Sequence, residues 1–165
     1  MSLTGQVTAQ AQVTQTAQGA TDLAPSSVAL NYSSPWQITS GVGANQADVS
    51  YQGQRTVPGG GNEDLDLAAG NLSTLGVAVT FAKIKLIMIE ALGSNTGTLT
   101  IGGAPTNTFV GPFGGPTFTV VLPAGGVFTA RAANAGWPVT AGTGDLLRIT
   151  GANQVYKIVL IGTSA

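Results

Sequence analysis

The chain has no cysteine and no histidine. Without cysteine there are no disulfide staples, thiol nucleophiles or iron–sulfur ligands, and the redox compartment is left unread. Without histidine the chain loses the usual general base, the commonest zinc ligand and every Ser-His-Asp or Cys-His arrangement. Charge is scarce too: Asp, Glu, Lys and Arg make up 8% of 165 residues, against roughly 25% in an ordinary soluble domain. The basic residues Arg55, Lys83, Lys85, Arg131, Arg148 and Lys157 are scattered and the net charge is −1. That leaves no basic stripe to neutralise phosphates, so nucleic acid is not expected as a partner. No apolar run approaches the ~20 residues that span a bilayer. The opening MSLTGQVTAQAQ lacks the charged and apolar regions of a signal peptide. The expectation is a protein made in the cytoplasm, with no membrane partner.

A free monomer usually stays soluble through charge. This neutral surface, rich in threonine and glutamine, suits contact with copies of itself or with another protein. One domain is expected from the length. Residues 1–24 interleave Gln and Thr, with Asp22 the only charge, and Leu3, Val7 and Val13 fit no helical stripe long enough to dock. Such a segment cannot offset its ordering entropy alone. It reads as a disordered tail or as an extended arm that orders on a neighbour.

From about residue 25 to 165 the pattern is that of strands. Val28, Leu30 and Tyr32 alternate, as do Phe118, Val120 and Leu122, and Tyr156, Ile158 and Leu160. Turn signals such as Gly59-Gly-Gly61, Ser94-Asn-Thr-Gly97 and Pro123-Ala-Gly-Gly126 separate them. Gly151-Ala-Asn-Gln154 is a hairpin candidate between 146–150 and 155–161. Short strands at this spacing predict an all-β fold, a single antiparallel β-sandwich and no amphipathic helix. In TFAKIKLIMIEAL (Thr80–Leu92), Ala82, Ile84, Leu86 and Met88 alternate and are assigned to the core. Lys83, Lys85, Ile87 and Ile89 then fall on the other face, wet at the lysines and dry at the isoleucines. Lys157, Val159 and Ile161 repeat that transition. Two such strands imply a cover, supplied by a loop such as 102–116, an arm or a neighbouring subunit. Leu3, Val7, Val13, Ile87, Ile89, Val159 and Ile161 are therefore the expected partner-contacting residues.

Chemistry has few places to reside. Glu63, Asp64 and Asp66 follow a glycine turn and are weak calcium candidates, although their spacing is not that of an EF-hand loop. Glu90 and Asp145 are isolated, so a paired-carboxylate glycosidase is not expected. Trp36, Trp137, Tyr32 and Tyr51 could stack on sugar, but each lies beside apolar positions. Neither an enzyme nor a bound cofactor or metal is expected.

Three longer segments, VTFAKIKLIMIEAL (Val79–Leu92), GTLTIGGAPTNTF (Gly97–Phe109) and GWPVTAGTGDLLRITGANQVYKIVLIG (Gly136–Gly162), together resemble tailed-bacteriophage virion structural proteins. The resemblance spans roughly residues 46–162. It implies a non-enzymatic capsid cement or decoration protein on the head surface, made in the host cytoplasm. Its expected partners are the major capsid protein and further copies, as a dimer or trimer. A jelly-roll-like sandwich with an N-terminal arm fits that role. The alternative is a tail-fibre or receptor-binding module that recognises host-surface glycan.

Overall fold

The computed structural model describes residues 2–17, 19, 24 and 26–165, and its fold is all-β. Among them the only helical turn is a short 3-10 segment, Gly111–Phe113. Two long strands open the chain, β1 (Gly5–Ala17) and β2 (Ser26–Ile38). Next come β3 (Val49–Thr56), β4 (Asn62–Asp66), β5 (Leu72–Thr74) and β6 (Val77–Val79). The middle of the chain forms β7 (Lys83–Ala91), β8 (Leu99–Gly102), β9 (Thr119–Leu122) and β10 (Val127–Arg131). The last three are β11 (Trp137–Pro138), β12 (Leu146–Thr150) and β13 (Val155–Thr163).

Two antiparallel sheets build the sandwich. One has the order β10-β7-β13-β3, with β11 pairing the start of β7, and the other β4-β12-β8-β9. Their inner faces share one core, in which Ile87, Ile89 and Ile158 of the first sheet join Leu99, Ile101 and Ile149 of the second. Leaving aside β1, β2, β5, β6 and β11, the eight remaining strands nest by pairs. β3 pairs with β13, β4 with β12, β7 with β10 and β8 with β9. This is the pairing of one long hairpin rolled up on itself. It also corrects the expected hairpin at Gly151–Gln154. The turn forms, with the Gln154 amide donating to Gly151 O at 2.9 Å, but β12 and β13 enter different sheets.

The alternation in β7 is interrupted, and the interruption overturns the facial assignment made above. Leu86 pairs with Ile161 while Ile84 pairs with Gly162, so Lys85 is an extra residue with no opposite number on β13. Such a bulge shifts the period-2 pattern by one position. Ile84, Ile87 and Ile89 all point into the sandwich, and Leu86 points out of it. Ile87 and Ile89 are therefore core residues without access to any partner. Gly162 faces the bulge, where a Cβ would lie 2.0 Å from Lys83 O and 2.8 Å from the Phe81 ring. A side chain at that position would push β7 and β13 apart.

The segment 5–17 is a strand whose pairing is internal. β1 runs antiparallel to β2 from Gly5–Ile38 to Ala17–Ser26. The extended element thus reaches residue 38, well past the boundary expected at 24, and the sandwich strands begin at Val49. Of the expected arm, residues 1, 18 and 20–23 lie outside the described residues.

Candidate interaction surface

The β1–β2 ribbon alternates chemistry as well as direction. Val7, Ala9, Ala11 and Val13 share a face with their partners Trp36, Ser34, Tyr32 and Leu30, followed by Gln15 opposite Val28. The reverse face carries Gln6, Thr8, Gln10, Gln12, Thr14 and Thr16, set against Gln37, Pro35, Ser33, Asn31, Ala29 and Ser27. One face is apolar and the other is almost wholly polar. Neither strand contains a charged residue.

The root of the apolar face is buried against the sandwich. Trp36 and Ile38 pack with Ala47, Leu86 and Ile161, and Leu3, Val7, Ala133 and Val159 border this cluster. It is the cover that the sequence called for over β7 and β13, supplied by the chain's own N-terminal ribbon and the 39–48 loop. Leu3, Val7, Val159 and Ile161 accordingly meet an internal partner.

Polar bonds fix the root. Trp36 Nε1 donates to Asn45 O at 3.0 Å. Arg131 on β10 donates from Nη1 to Ser34 O at 2.9 Å and from Nη2 to Ser34 Oγ at 2.6 Å. Lys85, read from sequence as exposed beside Lys83, is only 1% exposed. The bulge turns it under the loop, where Nζ donates to the carbonyls of Gly43 and Gln46. Burial lowers its pKa from the usual lysine value and nearby Lys83 lowers it further, against a smaller opposing pull from Asp48. A buried ammonium is costly unless its donors are satisfied, and these carbonyls meet that need.

Beyond the root the apolar face is exposed among the described residues. Val28 is 72% exposed, Leu30 60%, Tyr32 57% and Val13 55%. Between the ribbon and the outer sheet face lies a cleft of about 420 Å³, lined among others by Val7, Ala9, Tyr32, Leu86, Met88 and Arg131. Val13 is expected from the sequence as a contact residue, whereas Val28, Leu30 and Tyr32, whose alternation matches the sandwich strands, lie on the ribbon instead. Ala9 and Ala11 carried the missing signal, since they complete the alternation in β1.

The carboxylates do not converge. Glu63 accepts from Arg55 Nε and Nη2 and from the Tyr156 hydroxyl at 2.7 Å. Asp64 accepts two bonds from Arg148, at 2.7 and 2.6 Å, and Asp66 Oδ1 accepts from the Ala68 and Ala69 amides. Each is committed to a separate partner, so the calcium reading of these three residues fails. Among the described residues no group of three or more Asp or Glu side chains could hold a metal. Glu90 lies by Lys157 at 3.5 Å on the outer sheet face, whereas Asp145 is buried in a turn and accepts from the Gly142 amide. Among the described residues no helix is long and apolar enough to cross a membrane.

No family model, curated protein or solved structure matches the chain. Its own geometry must carry the functional reading.

The Tyr156 site yields a pH prediction. Burial, reinforced by the hydrogen bond to Glu63, raises the Tyr156 phenol above its usual value of 10.0. The native state therefore keeps a proton that the unfolded chain gives up. This contribution to stability is complete below about pH 10 and is lost as pH rises beyond it. Lys85 has the opposite sign, because its lowered pKa makes stability rise with pH just below 10.5. Comparison with Tyr156→Phe isolates the tyrosine. The variant should be less stable at pH 7 by ~1.5–3 kcal/mol, having lost a hydrogen bond to a charged group. That deficit should shrink above pH 10 in urea unfolding curves. A pH-independent deficit would show that Tyr156 ionises equally in both states.

Proposed function

We propose that the chain is a non-enzymatic structural subunit that works by attaching to other protein through its N-terminal ribbon. The observation that carries this reading is the ribbon itself, 13 residues to a strand, uncharged and apolar along one face far beyond the body that anchors it. An isolated two-stranded hairpin is marginal in water. Large exposed apolar patches mark contact sites. On the sequence resemblance set out above, its place is the head of a tailed bacteriophage. There it would act as a capsid cement or decoration protein, stabilising the shell through contacts with the major capsid protein and neighbouring copies. The nested strand pairing supports reading the sandwich as a jelly roll, an architecture shared by capsid and lectin domains, so architecture alone does not choose between attachment and glycan binding.

The aromatic residues favour attachment. Trp36 is buried and Trp137 is packed against the core, which leaves Tyr32 as a lone exposed ring on the ribbon. Sugar recognition by stacking needs an accessible platform, and one ring flanked by Leu30 and Ala11 is a poor one.

The experiment is to quantify the chain against the major capsid protein in purified particles, with and without residues 1–38. Hundreds of copies of the whole chain, and loss of the truncated form, are expected. A few copies per particle would move the chain to the tail, and none would end the virion reading.

A further inference from the structure

β1 is an open edge. Among the described residues its outer side bears no strand, since the ribbon is a sheet of two, β1 and β2. Every other edge strand is short or guarded against pairing with a foreign strand. β2 has Pro35, β4 has three acidic residues and β10 has Arg131. β3 has Arg55 and lies against β5, where Thr74 Oγ1 donates to Ser50 O at 2.8 Å. β5, β6, β9 and β11 have four residues or fewer. β1 alone is 13 residues long with neither proline nor charge.

We propose that β1 pairs antiparallel with β1 of a second copy of this chain, about a two-fold axis normal to the ribbon. The product is a four-stranded sheet in the order β2-β1-β1-β2. Two features favour a second copy as the occupant. A two-fold normal to the sheet keeps both apolar faces on one side, and the uncharged strands meet without repulsion. Pairing also stops at two copies, because the outer strands are then the two β2 strands, each guarded by Pro35. Two strands are marginal in water, and independent stability needs three or more with an apolar face.

The bodies set the register. Each ribbon is anchored on its own sandwich at Val7 and Trp36, so both bodies lie on the apolar side, at opposite ends of the joined sheet. A body of this size, residues 49–165, has a radius of gyration of about 13 Å and a width of about 35 Å. Centring the pairing on Ala11 sets the two Val7 anchors about 26 Å apart, and the bodies collide. Centring it on Gln12 gives about 33 Å, and on Val13 about 40 Å, the first register that clears. Ala9–Ala17 of each copy are then paired, with Val13 beside the partner's Val13 and Gln12 beside the partner's Thr14. Each root keeps its own cover, and only the edge is used.

Such a pairing makes about nine backbone hydrogen bonds, close to the number in a standard interface. The joined edge is small, roughly 30 by 10 Å, against about 800 Å² per partner in a stable complex. The association is therefore reversible and concentration-dependent.

This inference rests on reading the ribbon as the contact element and goes further by naming what its edge takes. The test is sedimentation equilibrium of the full chain, of Gln12→Lys/Thr14→Lys and of Gln12→Lys/Thr14→Glu. A control, Ala29→Lys/Asn31→Lys, puts two lysines on the same polar face one strand away, since Ala29 pairs with Thr14 and Asn31 with Gln12. The expected result is a dimer. Gln12→Lys/Thr14→Lys should raise its Kd about 10-fold, because lysines then face lysines across the axis. Gln12→Lys/Thr14→Glu sets opposite charges there and should bring the Kd within ~3-fold of the parent, as should the β2 control. Circular dichroism should be the same for all four, because these positions are exposed. A monomer at every concentration, open-ended growth, a dimer indifferent to Gln12→Lys/Thr14→Lys, or equal weakening by the β2 control would each overturn the proposal. So would a dimer left weak by Gln12→Lys/Thr14→Glu, because the register would be wrong. A monomer that still decorates particles would overturn this pairing alone, and a dimer missing from particles the proposed function alone.

Discussion

Ile87→Glu should leave no folded protein to assay. The Ile87 side chain is fully buried in the core between the two sheets, on a strand held by Leu160 on one side and Ala130 on the other. The substitution loses the burial of an isoleucine, about 1.5–3 kcal/mol. It also places a carboxylate where no donor waits, at a cost of several kcal/mol even after its pKa adjusts. Together these approach the whole stability of a domain this size, about 5–15 kcal/mol. The neighbouring Met88→Glu is the control, because Met88 lies on the outer face and is exposed. It should cost less than about 1 kcal/mol in urea unfolding. The reverse outcome, with Met88→Glu unfolded and Ile87→Glu intact, would restore an uninterrupted alternation through β7 and remove the bulge at Lys85.

Trp36→Ala should separate the ribbon from the sandwich without unfolding the sandwich. Trp36 lies at the centre of the second cluster, and its indole N–H is bonded to Asn45 O. Truncating a buried tryptophan typically costs 3–5 kcal/mol. The cluster lies outside the main core, so the loss falls on docking of the ribbon and the 39–48 loop. Amide exchange should report it locally. Protection in β1, β2 and residues 39–48 should fall by two or more orders of magnitude, while that of β8 and β12 changes little. Uniform loss across all strands would show that ribbon and sandwich unfold as one unit.

Sheet membership was legible where burial is one-sided. In β13 the alternation of Tyr156, Ile158 and Leu160 with Lys157, Val159 and Ile161 holds in the structure, with the second set facing outward. It holds because a register slip would expose the whole inner set. The same logic failed in β7. Leu86-Ile-Met-Ile89 is apolar at every position, so the local sequence carries no phase, and the bulge depends on Gly162, on a strand far away in the chain. The N-terminal ribbon was misread for a different reason. On β1 two of the four apolar residues of that face, Ala9 and Ala11, are alanine, a weak signal, and the partner strand β2 resembles the sandwich strands in composition. The acidic run 63–66 looked like one cluster in sequence, but a strand sends neighbouring side chains to opposite faces.

An unpaired strand edge is a template for further strands. On the β2 edge Pro35 removes one donor and interrupts the pattern. β1 has no such guard: over 13 residues it has neither proline nor charge, the composition of segments that grow into cross-β stacks. The free β1 edge is therefore an open invitation to fibril growth. Only a strand paired along β1 would close that edge, so the same row of backbone groups that invites fibrils is also where a complex would have to seal the chain.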